Sequence, residues 1–184
     1  MVPPALTPGR FVDRVIGAVA LRVATYEEVE ADRRATWQAI AVVVLSSLAA
    51  GLGSRGLGAG RPVDVAFFSA VALMAWAAWA LVVFEIGARI LPAAHTRVDV
   101  GELLRTTGFA TAPGLFRIVG VLPGMSIPAF VITAVWMLVA MIIAVRQALD
   151  YTSTLRAVAV CGIGWAIAIT FALLFGLFFG PRVS

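Results

Sequence analysis

Four long segments of this chain contain no charged side chain, and each is long enough to cross a lipid bilayer as a helix. They are residues 35–54, 65–84, 118–145 and 157–181. Twenty helical residues rise about 30 Å, which is the hydrocarbon thickness of a typical bilayer. The sequence therefore predicts an all-α, polytopic membrane protein, and this prediction limits every functional interpretation that follows.

Composition and charge agree with a membrane location. Hydrophobic residues make up 61% of the 184 residues and charged residues 13%, which excludes an ordinary soluble domain. The net charge of +4 suits an anionic membrane surface better than nucleic acid, because no basic run interleaved with aromatic residues lies outside the apolar segments. We therefore expect the lipid bilayer as a partner and no nucleic acid. The arginine-rich, lysine-free composition is typical of GC-rich coding, so we expect a prokaryotic plasma (inner) membrane.

The first 34 residues are predicted to form a cytoplasmic N-terminal segment with a short amphipathic helix. Its apolar positions recur every four residues: Phe11, Val15, Val19 and Val23. Charged residues occupy the opposite side: Arg10, Asp13 and Arg14. Such a helix either lies in the membrane interface or packs against the cytoplasmic end of the bundle, and the pattern does not separate the two.

A second helix is predicted to begin at a capping box formed by Thr25 and Glu28 and to continue without a break into the first span. Within that helix Glu30 would pair with Arg34 at i,i+4. Residues 51–61 then read as a glycine-rich loop. The GxGxxG match at 51–56 follows a predicted transmembrane helix rather than a strand, so we assign it to this loop and not to a dinucleotide site.

Five spans are predicted within a membrane domain of residues 35–184, and one of them is ambiguous. Their approximate bounds are 36–54, 64–90, 101–122, 126–146 and 155–179. The third span begins at a capping-box-like Asp99 and Glu102. It is interrupted by Arg105, Pro113 and Arg117. The dipeptide Pro123-Gly124 is predicted to turn the chain into the fourth span.

The distribution of arginines predicts the orientation of the N-terminus. With five spans and the N-terminus inside, ten arginines are cytoplasmic and four lie outside, as the positive-inside rule expects. The four outside are Arg55, Arg61, Arg117 and Arg182. If segment 101–122 does not cross, two of these move inside, Arg146 and Arg156 move outside, and the count is again ten to four. The arginines therefore predict a cytoplasmic N-terminus and leave the position of the C-terminus open.

Residues that catalysis or metal binding would need are scarce. His95 is the only histidine, so the chain offers neither a histidine-based nucleophile–base pair nor a site with three or four ligands. Glu27-Glu28 followed by Arg33 is similar to the EExxxR pattern of intramembrane CAAX-type proteases, but the arginine comes one place too late. Cys161, the single cysteine, is expected to pack as a small apolar residue. We expect no enzymatic activity, no cofactor and no metal.

Ionisable residues within or at the ends of the predicted spans are the strongest local indication of function. They are Glu85, Arg89, Arg105 and Arg117. One interpretation is a small transporter or channel in which Glu85 and Arg105 or Arg117 line a polar path. The other is structural: Glu85 pairs with Arg89 at i,i+4, and the other two arginines extend to opposite interfaces.

The leading interpretation is a non-enzymatic subunit that organises the membrane or binds a partner at its cytoplasmic face. The candidate recognition residues form a strip with both signs of charge: Glu27, Glu28, Glu30, Asp32, Arg33 and Arg34. Taken singly, each of them also serves to cap or solvate a helix. The pairs Ser46xxxAla50 and Ser47xxxGly51 supply small-residue faces, which suit internal packing, contact with another membrane protein or homo-oligomerisation.

Two segments resemble a known family of membrane proteins. Residues 11–17 (FVDRVIG) and 24–33 (ATYEEVEADR), continuing to Gln38-Ala39, are similar to the N-terminal half of prokaryotic Yip-domain membrane proteins. These are distant relatives of the Ypt/Rab-interacting Yip proteins of eukaryotic secretory membranes. Residues 104–115 (LRTTGFATAPGL) resemble the Gly-Phe/Tyr-Ala…Ala-Pro signature of the family's third helix. The signature falls on Gly108, Phe109, Ala112 and Pro113.

The resemblance extends from about residue 10 to residue 178 and implies a topology. It implies five transmembrane helices, a cytoplasmic N-terminus and an exoplasmic C-terminus. Pro113 inside a span is tolerable, because neighbouring helices can satisfy the freed carbonyl group. The eukaryotic members are adaptors for small GTPases through long cytosolic N-terminal regions. Here 34 residues precede the first span, so a GTPase partner is not expected.

Overall fold

The computed structural model describes residues 10–55, 62–90 and 99–179, and these residues are helical with no strand among them. Seven α-helices follow one another along the described chain. Their bounds are α1 Phe11–Val19, α2 Val23–Ala31, α3 Ala35–Arg55, α4 Pro62–Glu85, α5 Val100–Phe109, α6 Ser126–Ala148 and α7 Thr154–Phe179. A π-helical turn, Ile86–Ile90, extends α4, and a 3₁₀ helix, Ala112–Val121, follows α5.

Five of these stretches run alternately in opposite directions. The 3₁₀ helix runs parallel to α3, and α6 runs back along it, since Met137 lies beside Gly114 and Thr133 bonds to Arg117. At one end of the bundle the hydroxyl of Tyr151, just after α6, donates to the carbonyl of Gly87, just after α4. Helices α3, α5 with its 3₁₀ extension, and α7 therefore run away from this end, and α4 and α6 run towards it.

Small residues on two neighbouring segments explain how α3 and the 3₁₀ helix pack. A Cβ atom added to Gly108 would lie 2.7 Å from the Cβ of Ala39, and one added to Gly114 would lie 3.2 Å from the Cβ of Ser46. In the same way, a Cβ added to Gly120 would lie 2.6 Å from the carbonyl oxygen of Gly53. The paired positions are Ala39 with Gly108, Ser46 with Gly114 and Gly53 with Gly120. The three positions on α3 are seven residues apart, which suits two turns of α-helix. The three glycines opposite are six residues apart, which suits two turns of 3₁₀ helix.

The break between α5 and the 3₁₀ helix occurs at the predicted family motif. Pro113 lies in the first turn of the 3₁₀ helix, where its missing N–H leaves no donor unpaired. The hydroxyl of Thr111 donates to the carbonyl of Gly108, and the hydroxyl of Ser46 on α3 donates to the carbonyl of Thr111, both at 2.7 Å. Segment 101–122 therefore consists of two helices of different geometry joined at Ala110 and Thr111, rather than the single α-helix that a simple span suggests.

The N-terminal residues form a closed helical hairpin, α1–α2, which differs from the sequence prediction in two ways. Helix α2 begins at Val23, so Thr25 is not its N-cap. It ends at Ala31, so the prediction of one continuous helix into α3 was wrong. On the predicted polar side of α1, Arg10 and Asp13 are exposed, but Arg14 is only 2% exposed. The cause is tertiary contact, because a buried arginine is tolerated where side chains of opposite charge pair with it.

Two described helices are long and apolar enough to cross a membrane. They are Ala35–Gly53 and Ser126–Ala148. Taken alone, such helices are weak support for a membrane protein, because the core helix of a soluble protein passes the same test. Helix α6 is not such a core helix, since only 17% of its apolar window is buried. Seven large apolar side chains of α6 are exposed: Ile127, Phe130, Val131, Ile132, Val135, Leu138 and Val139.

Helix ends show which local signals in the sequence decide structure. The capping box of Asp99 and Glu102 is confirmed at the start of α5, and Gly124 turns the chain with φ +76° as predicted. The loop prediction for residues 51–61 was wrong for its first five residues, because α3 continues to Arg55. Packing of Gly53 against the 3₁₀ helix overrides the weak helix propensity of the glycines. Residues 56–61 and the loop with His95 lie outside the described residues.

Candidate functional site

The strongest polar feature lies where the hairpin α1–α2 meets the start of α3. The Arg14 guanidinium is held by side chains from α2 and α3. It bonds to a carboxylate oxygen of Glu28 at 2.9 Å and of Asp32 at 2.8 Å, and donates to the amide oxygen of Gln38 at 2.8 Å. We call these four residues, Arg14, Glu28, Asp32 and Gln38, the arginine clamp. It joins α1 to α2, to the residue after α2 and to the start of α3.

Electrostatics within the arginine clamp favour the charged forms. Burial of the guanidinium acts to lower the pKa of Arg14, but hydrogen bonds and charge interactions with Asp32 and Glu28 outweigh it and raise that pKa. The hydrogen bond from Arg14 lowers the pKa of Asp32. Two carboxylates surround one buried cation, and each retains about a quarter of its side-chain exposure. The clamp is therefore a fixed structural joint rather than a proton-transfer site.

Arg105 fixes the same hairpin from the other side. The sequence offered two interpretations, a residue that lines a polar path or one that extends to an interface; in the structure its guanidinium contacts the end of α2. The residue is 4% exposed, and its Nε donates to the carbonyls of Val29 at 3.0 Å and Glu30 at 3.2 Å, with Nη2 to the latter at 2.5 Å. These carbonyls belong to the last turn of α2, which ends at Ala31. Arg105 thus caps a helix C-terminus, where the backbone leaves carbonyls unpaired and the helix dipole favours a cation.

Among the recognition candidates, Glu30 has a pKa raised well above its ordinary value. Burial raises its pKa to about 7, and the charges of Asp150, Glu102 and Glu27 act in the same direction. A hydrogen bond with Gln147 acts against them. The predicted pair between Glu30 and Arg34 is not observed, because α2 ends before Arg34 and the two residues do not share a helix. Glu30 therefore titrates near neutral pH at the end of the bundle that carries the hairpin.

A cleft opens beside α2, next to the turn between α6 and α7. Its volume is about 510 Å³. Its apolar lining includes Val23, Ile142 and Ile143, and its polar and charged lining includes Glu27, Arg146, Gln147, Asp150, Thr152 and Thr154. The Nε of Arg146 donates to the carbonyl of Tyr151 at 3.2 Å, which fixes the orientation of this side chain. The cleft thus combines side chains of both charge signs with apolar ones.

The structure divides the predicted recognition strip into two groups. Glu28 and Asp32 are used by the arginine clamp, and Asp32 also accepts a hydrogen bond from the backbone N–H of Arg34 at 2.9 Å. Glu27, Arg33 and Arg34 are exposed. The exposed part of the strip is therefore smaller and more basic than the sequence suggested.

The other ionisable residues of the predicted spans do not converge. Glu85 pairs with Arg89 at 2.8 Å, as predicted, and both side chains are largely exposed. Arg117 lies near the far end, where Nε donates to the hydroxyl of Thr133 at 3.2 Å and the guanidinium lies 4.2 Å from the ring centroid of Phe130. Glu85 and Arg105 thus have separate partners. Among the described residues, no group of three histidine, cysteine or acidic side chains is placed to hold a metal ion.

Sequence reasoning missed the arginine clamp and the helix cap, although two signals were present. Arg14 lies three residues before Gly17, and a Cβ added to that glycine would collide with the hydroxyl of Thr25. A glycine on one helix within reach of a second helix indicates close approach, and an arginine on the same face then needs a buried partner. The signal for the cap was weaker, because the position of Arg105 on the sequence does not show where α2 ends.

Comparison of the chain with protein-family models, with curated proteins and with solved structures found no match. The resemblance to Yip-domain proteins therefore remains a hypothesis that rests on the residues quoted above.

Proposed function

We propose that the protein is an integral membrane protein that crosses the bilayer five times. The exposed apolar face of α6 supports this, because a soluble protein rarely leaves so large a continuous apolar surface in water. The alternating directions of the five helical stretches suit repeated crossings. The charge-free segments of the sequence supply the matching lengths.

The ambiguous third crossing is supported by length and by register. Ten α-helical residues and ten 3₁₀ residues rise about 15 Å and about 20 Å, so the two together match a bilayer of about 30 Å. The glycines that face α3 follow it from Ala39 to Gly53, about 21 Å of helix rise. A segment that runs parallel to a spanning helix over this distance accompanies it across most of the bilayer. On this basis the C-terminus lies opposite the N-terminus.

The hairpin end of the bundle is assigned to the cytoplasm. This assignment follows the arginine distribution, which favours a cytoplasmic N-terminus with either number of spans. The Yip-type fold and a prokaryotic plasma membrane are part of the same proposal, and they rest on the resemblance and on composition.

The function that the geometry supports best is a non-enzymatic subunit that organises the membrane or binds a partner at its cytoplasmic face. The observation that carries it is the fixed hairpin: the arginine clamp and the Arg105 cap hold α2 rigidly beside a cleft of mixed charge. Rigid presentation lowers the entropic cost of binding a partner. Exposed Arg33 and Arg34 border the same hairpin.

A small transporter or channel is the weaker candidate. That reading needs Glu85 to face Arg105 or Arg117 across a hydrated path. The observed partners favour the binding role: Arg105 is engaged by the carbonyls of α2, and Glu85 by Arg89. Flux across proteoliposomes is the direct discriminator. Ion flux with wild type that disappears with Glu85→Ala would overturn the binding role in favour of transport.

Site-specific photo-crosslinking in cells tests the binding role. A photoreactive residue at Arg33, on the proposed recognition face, is expected to give a discrete protein adduct. The matched control is a photoreactive residue at Met125, which is exposed at the opposite end of the bundle. The proposal fails if Arg33 gives no protein adduct, or if both positions give the same set of adducts.

A further inference from the structure

The exposed apolar face of α6 leads into the cleft beside α2. Val135, Leu138 and Val139 are exposed on this face. Ile142 and Ile143, three and four residues after Val139, line the cleft. Residues three and four apart share a face of an α-helix, so the cleft adjoins the surface that the proposed membrane placement assigns to lipid.

Charged side chains follow these apolar ones along the chain. Arg146 lies four residues after Ile142, and Asp150 lies just beyond the end of α6 at Ala148. Both charged residues are exposed, and both line the cleft. The cleft thus lies where α6 passes from apolar to charged side chains, as a spanning helix does between the acyl chains and the headgroups.

Helix α2 supplies the other wall of the cleft with the same two kinds of side chain. Val23 and Glu27 are four residues apart, both are exposed, and both line the cleft. The charges of Glu27 and Asp150 both raise the pKa of Glu30, so these two carboxylates lie within electrostatic reach of the same third carboxyl group. Two separate elements therefore bring acidic groups to one cleft, where a cation can contact both.

The cleft also offers groups that bind an anion. Among the residues that the structure describes, Arg146 forms no ion pair with Glu27 or Asp150. A guanidinium binds phosphate oxygens through paired hydrogen bonds. Thr152 and Thr154, which carry hydroxyl donors, line the same cleft, and α7 begins at Thr154, where unpaired backbone N–H groups favour an anion.

We propose that this cleft binds the headgroup of an ethanolamine phospholipid. The carboxylates of Glu27 and Asp150 hold its ammonium group, and Arg146 holds its phosphate. Ile142 and Ile143 contact the start of an acyl chain. The inference rests on the proposed membrane placement and names a lipid partner for the face that the proposed function assigns to recognition.

The size and charge of the cleft favour this headgroup over those of other phospholipids. Its volume of about 510 Å³ falls within the range of about 300–1,000 Å³ that is usual for small-molecule sites. A primary ammonium group carries three N–H donors for the two carboxylates, whereas the quaternary nitrogen of choline carries none. Phosphatidylglycerol has no cation for these carboxylates, so the charges of the cleft select against it.

Lipid retention by the purified full-length protein tests the proposal. The protein is equilibrated at pH 7 with equal amounts of phosphatidylethanolamine, phosphatidylcholine and phosphatidylglycerol, and the bound lipids are counted by native mass spectrometry. Phosphatidylethanolamine is expected to be retained about tenfold over phosphatidylcholine, because only its headgroup donates charge-assisted hydrogen bonds to the carboxylates.

A double variant with a matched control locates the site. Glu27→Gln combined with Asp150→Asn is expected to bring the ratio of the two lipids close to one. Asparagine suits position 150, where φ is +49°, because it readily adopts the left-handed region. Asp13→Asn removes an exposed carboxyl group on α1 that does not line the cleft, and it is expected to keep the wild-type ratio.

Three results would overturn the proposal. They are equal retention of the three lipids by the wild type, selectivity that survives the double substitution, and displacement of the lipid by an equal concentration of soluble phosphoethanolamine. The last result would show that the headgroup alone is the ligand.

The lipid site and the proposed binding role fail separately. Protein adducts at Arg33 without lipid selectivity would leave the binding role in place and remove this inference alone. Lipid selectivity without a protein adduct at Arg33 would support the lipid site and remove the protein partner.

Discussion

At the scale of single residues, two buried arginines hold the hairpin by different chemistry. Arg14 binds carboxylates of Glu28 and Asp32, and Arg105 binds backbone carbonyls at the end of α2. A guanidinium suits both tasks, because its planar fork carries five donors and stays charged when buried. A buried charge is costly unless it is paired, so each arginine commits the chain to one arrangement of α1, α2 and α5.

Replacement of Arg14 by methionine is expected to destabilise the folded protein. Removal of one member of a buried ion pair costs about 3–5 kcal/mol, and the lower end applies because both carboxylates keep partial exposure. The measurement is the free energy of unfolding in detergent, with Arg10→Met as control, since Arg10 is exposed at the start of α1. A loss no larger than that of the control would show that the arginine clamp does not hold the hairpin.

The arginine clamp also predicts a dependence on acid. The folded-state pKa of Asp32 lies below its ordinary value of 3.8, so the clamp's contribution is complete above that pH and is lost as the pH falls through the folded pKa. Asp32→Asn is therefore expected to cost stability at pH 7 and progressively less below about pH 4. A constant difference between mutant and wild type across this range would contradict the assignment.

Glu30 predicts the opposite dependence at higher pH. Its folded-state pKa, about 7, exceeds the ordinary 4.5, so the folded protein is destabilised as the pH rises from about 4.5 to 7. Glu30→Gln is expected to raise the melting temperature at pH 8 and to change it little at pH 4.5. The neighbouring carboxyl groups of Glu27, Glu102 and Asp150 are present in both proteins, so the quantity to compare is the difference in melting temperature between mutant and wild type. Asp13→Asn, exposed on α1, is the control. Lower stability of Glu30→Gln at pH 8 would contradict the burial of this carboxyl in an acidic setting.

At the scale of elements, the 3₁₀ helix is the part that most depends on its neighbours. A run of ten 3₁₀ residues is uncommon, since the geometry of its hydrogen bonds is poorer than in an α-helix. Close contact with α3 and α6 compensates, and the glycines at every sixth position allow it. The segment therefore keeps its geometry through packing and not through intrinsic propensity.

Two glycines on α3 provide a matched test of this packing. A Cβ added to Gly53 would collide with the backbone carbonyl of Arg117, whereas one added to Gly51 meets nothing within 4 Å. Gly53→Ala is expected to cost about 1–3 kcal/mol of unfolding free energy through overpacking. Gly51→Ala is expected to be neutral or stabilising by up to about 1 kcal/mol. Equal effects of the two substitutions would contradict the close approach of α3 and the 3₁₀ helix.

Local signals in the sequence predicted some elements and not others, for physical reasons. The start of α5 at Asp99 and the turn at Gly124 were predictable, because capping and positive φ depend on nearby residues. The end of α2 at Ala31 and the burial of Arg14 were not, since both depend on partners that are distant in sequence. The Glu85–Arg89 pair followed from i,i+4 spacing, whereas the role of Arg105 required knowledge of where α2 ends.

At the scale of the whole molecule, the described helical stretches run in alternate directions. Helices α3, α5 with its 3₁₀ extension, and α7 run away from the hairpin end, and α4 and α6 run towards it. Repeated crossings of a bilayer require this alternation.

The most direct test of the central claim, five crossings with the hairpin end in the cytoplasm, is a pair of topology reporters fused to Met1 and to Ser184. Each reporter is active on one side of the membrane only. The account predicts a cytoplasmic signal from the N-terminal fusion and an exoplasmic signal from the Ser184 fusion. A cytoplasmic signal at both ends would contradict five crossings.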